Sequence, residues 1–243
     1  MINKDALKYL VDLGVEANPV VRIDEKPYSP IKLYPIQDEY PGALGFCFLD
    51  SLITYLKSNL DTTIIDNEKV IIEIGSPTSV SLYTQIKGQF NQRFTIANCE
   101  ALVTGFPWGR YTDPNEFIVM TQSRFVETED LAKIMAIVGN VKSEEVMTFS
   151  DDGISQQVTA RSGIARVENV ILPPKVILAP YRTFIEIEQP ASNFIFRAMK
   201  AKDVPNFALF EADGGAWRIE AMKRIKAYLE EQLQGMENVI ILG

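Results

Sequence analysis

The sequence predicts an α+β fold: mostly antiparallel sheet with several packed amphipathic helices, including a long C-terminal helix. Three observations carry this. Short runs rich in Phe and Ile, at 184–187, 194–198 and 207–212, are each bounded by Pro, Gly or Asn, the pattern of strands punctuated by turns. Directly after them Trp217, Ala221, Ile225, Leu229 and Leu233 recur every four residues, and Met222 and Tyr228 widen the stripe, which describes a helix with one apolar face. Connections between the strand patterns are short, which suits antiparallel pairing better than βαβ crossovers. The stretch 179–224 is therefore read as the unit around which the chain is built.

Taken in order, Asn3 caps a first helix whose stripe is Leu7, Leu10 and Leu13 and whose stop is Gly14. Residues 20–23 read as a strand, and 24–35, with Pro27, Pro30 and Pro35, as a turn-rich surface segment. Residues 43–60 read as a helix, with Phe48, Leu52, Tyr55 and Leu56 on one face. Strand patterns follow at 69–74, 80–85 and 93–103, then a loop, Gly105-Phe-Pro-Trp-Gly109, whose aromatics look exposed. Asp113-Pro114-Asn115-Glu116 is the sharpest local signal: an Asp cap, Pro at the first helical position and Glu three residues after the cap. The helix it opens carries Phe117, Ile118, Met120 and Phe125. Thr128 caps the next, with Leu131, Ile134, Met135 and Val138 on one face and Gly139-Asn140 at its end. Runs at 144–149 and 154–160 flank Ser150-Asp151-Asp152-Gly153 as a hairpin, and 167–172, 176–178 and 238–242 are further strands. The helix-rich middle, 112–141, separates two strand-rich regions. The chain is one α+β domain over 1–243, or two packed lobes, 1–142 and 143–243.

Composition narrows the chemistry. With 243 residues, 47% of them hydrophobic, a core forms without covalent staples. The longest apolar runs, such as 43–49, are too short for a bilayer, and the opening Met1-Ile-Asn-Lys-Asp is no apolar signal segment, so a cytoplasmic location and no membrane partner are expected. Cys47 and Cys99 both lie in apolar surroundings and read as buried free thiols, with no C-x-x-C or zinc spacing. There is no histidine, which removes Ser-His-Asp and Cys-His schemes, His-ligated zinc and imidazole as a base. Catalysis here would rest on carboxylates, Lys, Tyr or backbone groups beside a hard cation. A net charge of −8 gives little of the phosphate attraction that drives nucleic-acid binding, although charge can be segregated by face.

Several constellations can carry a site. Glu211 and Asp213 stand two apart at a strand end, and Asp213 precedes Gly214-Gly215 where a helix starts. Asp213 is there an N-cap, or part of an anion or metal site. Tyr181-Arg182, with Gln189 and Pro190 downstream, offers a guanidinium that either anchors a phosphate or carboxylate or pairs with Glu186 or Glu188 across a strand. Trp217 and Arg218 open the helix. Tyr181, Arg182, Gln189, Asp213, Trp217 and Arg218 are accordingly the candidate binding residues, and no catalytic residue, metal ligand or cofactor is assigned. Asp151-Asp152-Gly153 is a calcium-capable or merely solvated turn. Asp24-Glu25-Lys26 is the D-x-K half of a metal-nuclease pattern without its upstream Asp. Arg218, Lys223, Arg224 and Lys226 form a basic patch or a solvated helix face.

The segments Asp151-Asp-Gly-Ile-Ser-Gln-Gln-Val-Thr-Ala-Arg-Ser-Gly-Ile, Pro180-Tyr-Arg-Thr-Phe-Ile-Glu-Ile-Glu-Gln-Pro-Ala-Ser-Asn-Phe-Ile-Phe-Arg and Leu209-Phe-Glu-Ala-Asp-Gly-Gly-Ala-Trp-Arg-Ile-Glu-Ala resemble the YfdQ-type family of phage and prophage proteins. The likeness is close over 151–229 and looser before it. It implies a tailed-phage or prophage origin and a place among genes of DNA metabolism; it supplies no site residues. Three readings follow: a non-enzymatic accessory protein that works by binding or self-assembly, as a homo-oligomer or with a phage or host protein; a DNA-metabolism factor that binds single strands or a recombinase, with Phe94 beside Arg93 and Trp108 near Arg110 as stacking platforms; and a metal-dependent hydrolase built on Glu211, Asp213 and Asp151 or Asp152.

Overall fold

The computed structural model describes residues 3–17, 20–23, 26–29, 42–61, 68–87, 91–142, 146–151, 156–161, 167–172, 175–201 and 204–243. Helices and short strands alternate through them in an α+β arrangement, and the chain divides into two compact units, Met1–Pro41 and Gly42–Gly243.

The first unit holds helix α1 (Lys4–Ala17) and an antiparallel ribbon of β1 (Val21–Ile23) and β2 (Lys26–Tyr28). Asn3 caps α1 as predicted, its Oδ1 accepting the Ala6 N–H at 2.8 Å. Gly14 does not stop the helix, which runs on to Ala17; one interior glycine costs only about 1 kcal/mol relative to alanine. Strand β2 lies inside the segment read as turns, and its Pro27 is tolerated because a two-stranded ribbon has only edges. Asp24 and Glu25 of the nuclease-like triplet lie outside the described residues; Lys26 opens β2.

The second unit contains a five-stranded sheet made of β3 (Leu44–Phe46), β4 (Val70–Ser76), β5 (Ser79–Thr84), β6 (Thr95–Glu100) and β13 (Val239–Leu242), in the order β13-β4-β5-β6-β3. The inner pairs β4–β5 and β5–β6 are antiparallel, while β13 and β3 add parallel at the two edges. Alternation sets its faces. Val70, Ile72, Ile74, Val80 and Leu82 point into a core completed by helices α2 (Leu49–Ser58) and α5 (Ala216–Gln232) through Leu52, Leu56, Ile225 and Leu229. On the other face Ser81 and Asn98 hydrogen-bond across strands at 3.0 Å. The predicted helix at 43–60 is corrected: 44–46 pair with β6, the helix begins at Leu49, and Phe48 is its exposed N-cap and not part of the apolar face. Gly42 and Gly45 weaken helix formation there and leave the run free to join a sheet edge.

The antiparallel sheet β10 (Val176–Leu178), β11 (Ser192–Ala201) and β12 (Val204–Glu211) lies under helices α3 (Pro114–Arg124) and α4 (Glu129–Lys142). Its core is aromatic. Phe196 and Phe207 stack at 5.7 Å, and Phe117 leans on both. The 105–109 loop belongs to this core. Trp108 stacks on Phe194 at 5.0 Å and Phe106 meets Phe125 edge-on at 5.1 Å, so these aromatics face inward and not toward solvent. Gly109 has φ +71° and donates its N–H to the Leu209 carbonyl at 2.8 Å; a Cβ there would sit 3.3 Å from the Phe210 ring. The Asp113 cap is as predicted, Oδ1 accepting from Asn115 and Glu116 N–H at 2.9 and 3.1 Å, but the helix ends at Arg124, and Phe125, read as part of it, is extended backbone that bridges to Pro180. Thr128 caps α4 through Leu131 N–H, and α4 passes through Gly139-Asn140 to Lys142. A third antiparallel meander, β7 (Val146–Asp151), β8 (Gln156–Arg161) and β9 (Val167–Leu172), carries the predicted hairpin; Asp152 and Gly153 in its turn lie outside the described residues.

The run 184–187, read as a strand, is a compact loop between β10 and β11. Phe184 and Ile187 still plug into the core of the five-stranded sheet. Their carbonyls need no ladder partner because Gln189 Nε2 donates to both, at 2.9 and 3.3 Å.

Two outcomes are expected. Asp113→Ala leaves two helix-start N–H groups without their acceptor, lowering stability by about 1 kcal/mol and the thermal midpoint by about 2–4 °C. The thiols differ as well. Cys47 is exposed, correcting its buried reading, because it leaves β3 at the sheet edge, whereas Cys99 is buried and its thiol is pushed up to about 12 by burial. A colorimetric thiol reagent should titrate one thiol per native chain at neutral pH and both after unfolding. The raised pKa favours the neutral thiol in the fold, so Cys99's contribution is complete below the ordinary thiol range and is lost as pH rises toward about 12.

Candidate functional site

Arg182 is the residue to which the candidates converge. It sits in the loop after β10, with its backbone N–H bound to Gln189 Oε1 at 3.1 Å. Its guanidinium reaches three segments. Nη1 bonds Glu211 Oε1 at the end of β12 at 3.0 Å, and Nη2 bonds Ser192 Oγ at the start of β11 at 2.5 Å and the Pro190 carbonyl at 3.3 Å. Its carbon lies 4.0 Å from the Trp217 ring centroid at the start of α5, a cation–π contact. Only 8% of Arg182 is exposed. Desolvation pulls the guanidinium down to about 10, against the carboxylates of Glu211 and Asp213, so it stays charged at neutral pH. Its Nε and the Trp217 indole N–H are buried with no acceptor among the described residues.

Asp213 is the helix-starting group, with both carboxylate oxygens engaged: Oδ1 accepts the Gly215 N–H at 3.0 Å and Oδ2 the Trp217 N–H at 3.1 Å. The formal N-cap residue is Gly215, at φ +83°, where a Cβ would fall 2.5 Å from Arg218 Nη1. Negative charge beside the first turn suits the helix dipole. Because Asp213 already occupies these N–H groups, the start of α5 is not free for an anion.

Arg182, Gln189, Asp213, Trp217 and Arg218 are thus one neighbourhood, Arg218 lying exposed with its carbon 5.2 Å from the Trp217 ring. Tyr181 is anchored through its backbone, its N–H donating to the Arg124 carbonyl, and is 41% exposed. The cross-strand pairing of Arg182 with Glu186 or Glu188 is corrected: those residues are in a loop, and Arg182 pairs with Glu211. Glu188 binds Arg224 instead, at 3.0 Å, and Glu220 shares Arg224. Ser192 carried no sequence signal; only the fold brings it beneath the guanidinium. Among the described residues no three His, Cys, Asp or Glu side chains gather as a metal site, and no helix is long and apolar enough to cross a membrane. Trp108, offered as a base-stacking platform, is committed to the core.

Two surface hollows lie elsewhere. One of about 500 Å³ between α3 and α4 is lined by Phe125, Leu131 and Met135, and one of about 480 Å³ beside α2 and β3 by Leu44, Phe46 and Tyr55. Comparison with protein-family models, with curated proteins and with solved structures finds no match to this chain.

Arg182→Ala should lower stability by about 3 kcal/mol, since it leaves Glu211 and the Pro190 carbonyl without their buried donor. Arg182→Lys keeps the charge and not the fork, and should lose about half as much. Chemical denaturation measures both, and Trp217 emission should shift in each as the cation leaves its ring.

Proposed function

We propose that the chain is a non-enzymatic accessory protein of a tailed phage or prophage, acting in the host cytoplasm through binding and self-assembly. One observation carries the reading. The five-stranded sheet ends in the edge strand β13, Val239-Ile-Ile-Leu242, which bears no charge and leaves Ile240 37% and Leu242 49% exposed. An uncharged β-branched edge is a template for another chain, and natural sheets protect such edges unless they use them. The resemblance of 151–229 to YfdQ-type proteins supports the phage origin. The candidate residues support a scaffold: Arg182, Gln189, Glu211 and Asp213 tie a loop, a strand end and a helix start together, so their polar groups are engaged in holding these segments in place.

Light scattering on the purified full chain tests this. The expected mass exceeds one chain and falls on dilution; a strict monomer at every concentration counts against it. Thermal melts with magnesium, manganese and calcium should superimpose on the metal-free melt, and a clear upward shift would favour the hydrolase reading instead.

A further inference from the structure

Three of the edge strands of the two main sheets of the second unit, β10, β12 and β13, are treated differently. On β10, the Ile177 N–H is taken by Asp130 Oδ2 from α4 at 3.0 Å. On β12, residues 109–112 close the edge through Gly109 N–H to Leu209 and reciprocal bonds between Thr112 and Phe207 at 2.9 and 3.0 Å. On β13 the Val70 N–H donates to the Asn238 carbonyl at 2.9 Å, so residue 238 faces β4. Alternation then turns the backbone of Ile240 and Leu242 toward β4 and that of Val239, Ile241 and Gly243 away from it. The Val239 N–H is satisfied by the Met236 carbonyl at 3.2 Å and the Gly243 carbonyl by Lys226 Nζ at 3.1 Å. That leaves the Val239 carbonyl, both Ile241 groups and the Gly243 N–H as an outward set with no partner among the described residues.

We infer that β13 pairs antiparallel with β13 of a second copy, about a two-fold axis at Ile241, to give one continuous sheet. This rests on the self-assembly reading and names its surface. The outward set is self-complementary in this register. The two Ile241 residues exchange both bonds, and each Gly243 N–H meets the other copy's Val239 carbonyl, giving four backbone bonds with none left over. Side chains follow the same register: Ile240 faces Leu242 of the second copy. Behind Ile240 lie Ile71 and then Tyr83, aligned across β4 and β5, so the apolar row of each copy ends against Leu242 of the other, behind which stands Glu73. Charge selects the second copy over an arbitrary strand. Helix α5 runs back along β13, placing Lys226 at the Gly243 end, while Glu237 stands exposed at the other end. The two-fold sets each Lys226 beside the other copy's Glu237, twice over.

Three full-length variants test it, each checked for an unchanged melt. Ile240→Lys should convert the assembly to single chains, since it sets a cation in the apolar row of each copy. In a Cys47→Ser background, Ile240→Cys with Leu242→Cys should oxidise to a covalent dimer. Residues 240 and 242 of opposite copies form a non-hydrogen-bonded pair, with Cα atoms about 4.5 Å apart, within disulfide reach. Ile240→Cys alone should not cross-link, because its own mate is displaced two residues along the strand. An assembly of unchanged mass in Ile240→Lys, or equal cross-linking of the single and double cysteine variants, overturns the β13 pairing and leaves self-assembly through another surface standing. A wild-type chain that is monomeric at every concentration overturns both.

Discussion

Burying one guanidinium is the constraint on which the second unit depends. Taking the Arg182 charge out of water costs several kcal/mol unless its donors are met in good geometry. Nη1 and Nη2 are met from the ends of β11 and β12 and from the loop that follows β10, and the Trp217 ring at the start of α5 covers the flat face. These segments belong to different layers. The loop sends Phe184 and Ile187 into the core under the five-stranded sheet, β11 and β12 build the aromatic core, and α5 covers the first core again. The guanidinium is therefore the rivet between two apolar cores, and neither core can shift without unpairing it.

That role explains why residues that look chemical in the sequence are architectural in space. Gln189 substitutes for a missing strand, its amide serving the Phe184 and Ile187 carbonyls and its oxygen the Arg182 N–H. Asp213 spends both oxygens on starting α5. With Gln189 and Asp213 so committed, what the chain offers to other molecules is its exterior, and part of that exterior is a bare strand.

Local signals in the sequence were reliable where short-range physics decides the outcome. The Asp113-Pro114 start, the Thr128 cap, the stripe Ala221, Ile225, Leu229 and Leu233, and the strands at 167–172 and 176–178 were all legible, because caps and periodicity act within one turn or one pleat. Illegible features were those set by distant partners. Strand β3 exists because β6 lies alongside it, 184–187 bends because Gln189 reaches back, and Trp108 turns inward because Phe194 awaits it. The candidate site was half legible. Arg182, Gln189, Asp213, Trp217 and Arg218 come together while Tyr181 does not join them, and the partner of Arg182 is not on its own segment: Glu211 lies across two β connections and Ser192 gives no sign in the sequence.

The seal on β10 has its own consequence. A single side-chain oxygen of Asp130 stands where a neighbouring strand's carbonyl would, and the Ile177 N–H it accepts, helped by Lys133, holds that carboxyl below the usual carboxylate range. Its contribution is present above the ordinary carboxylate pKa and disappears only as pH falls through the lowered one. Mild acidification therefore leaves this margin shut, and stronger acid unmasks a second strand with a free donor, a route to disordered aggregation separate from any built assembly.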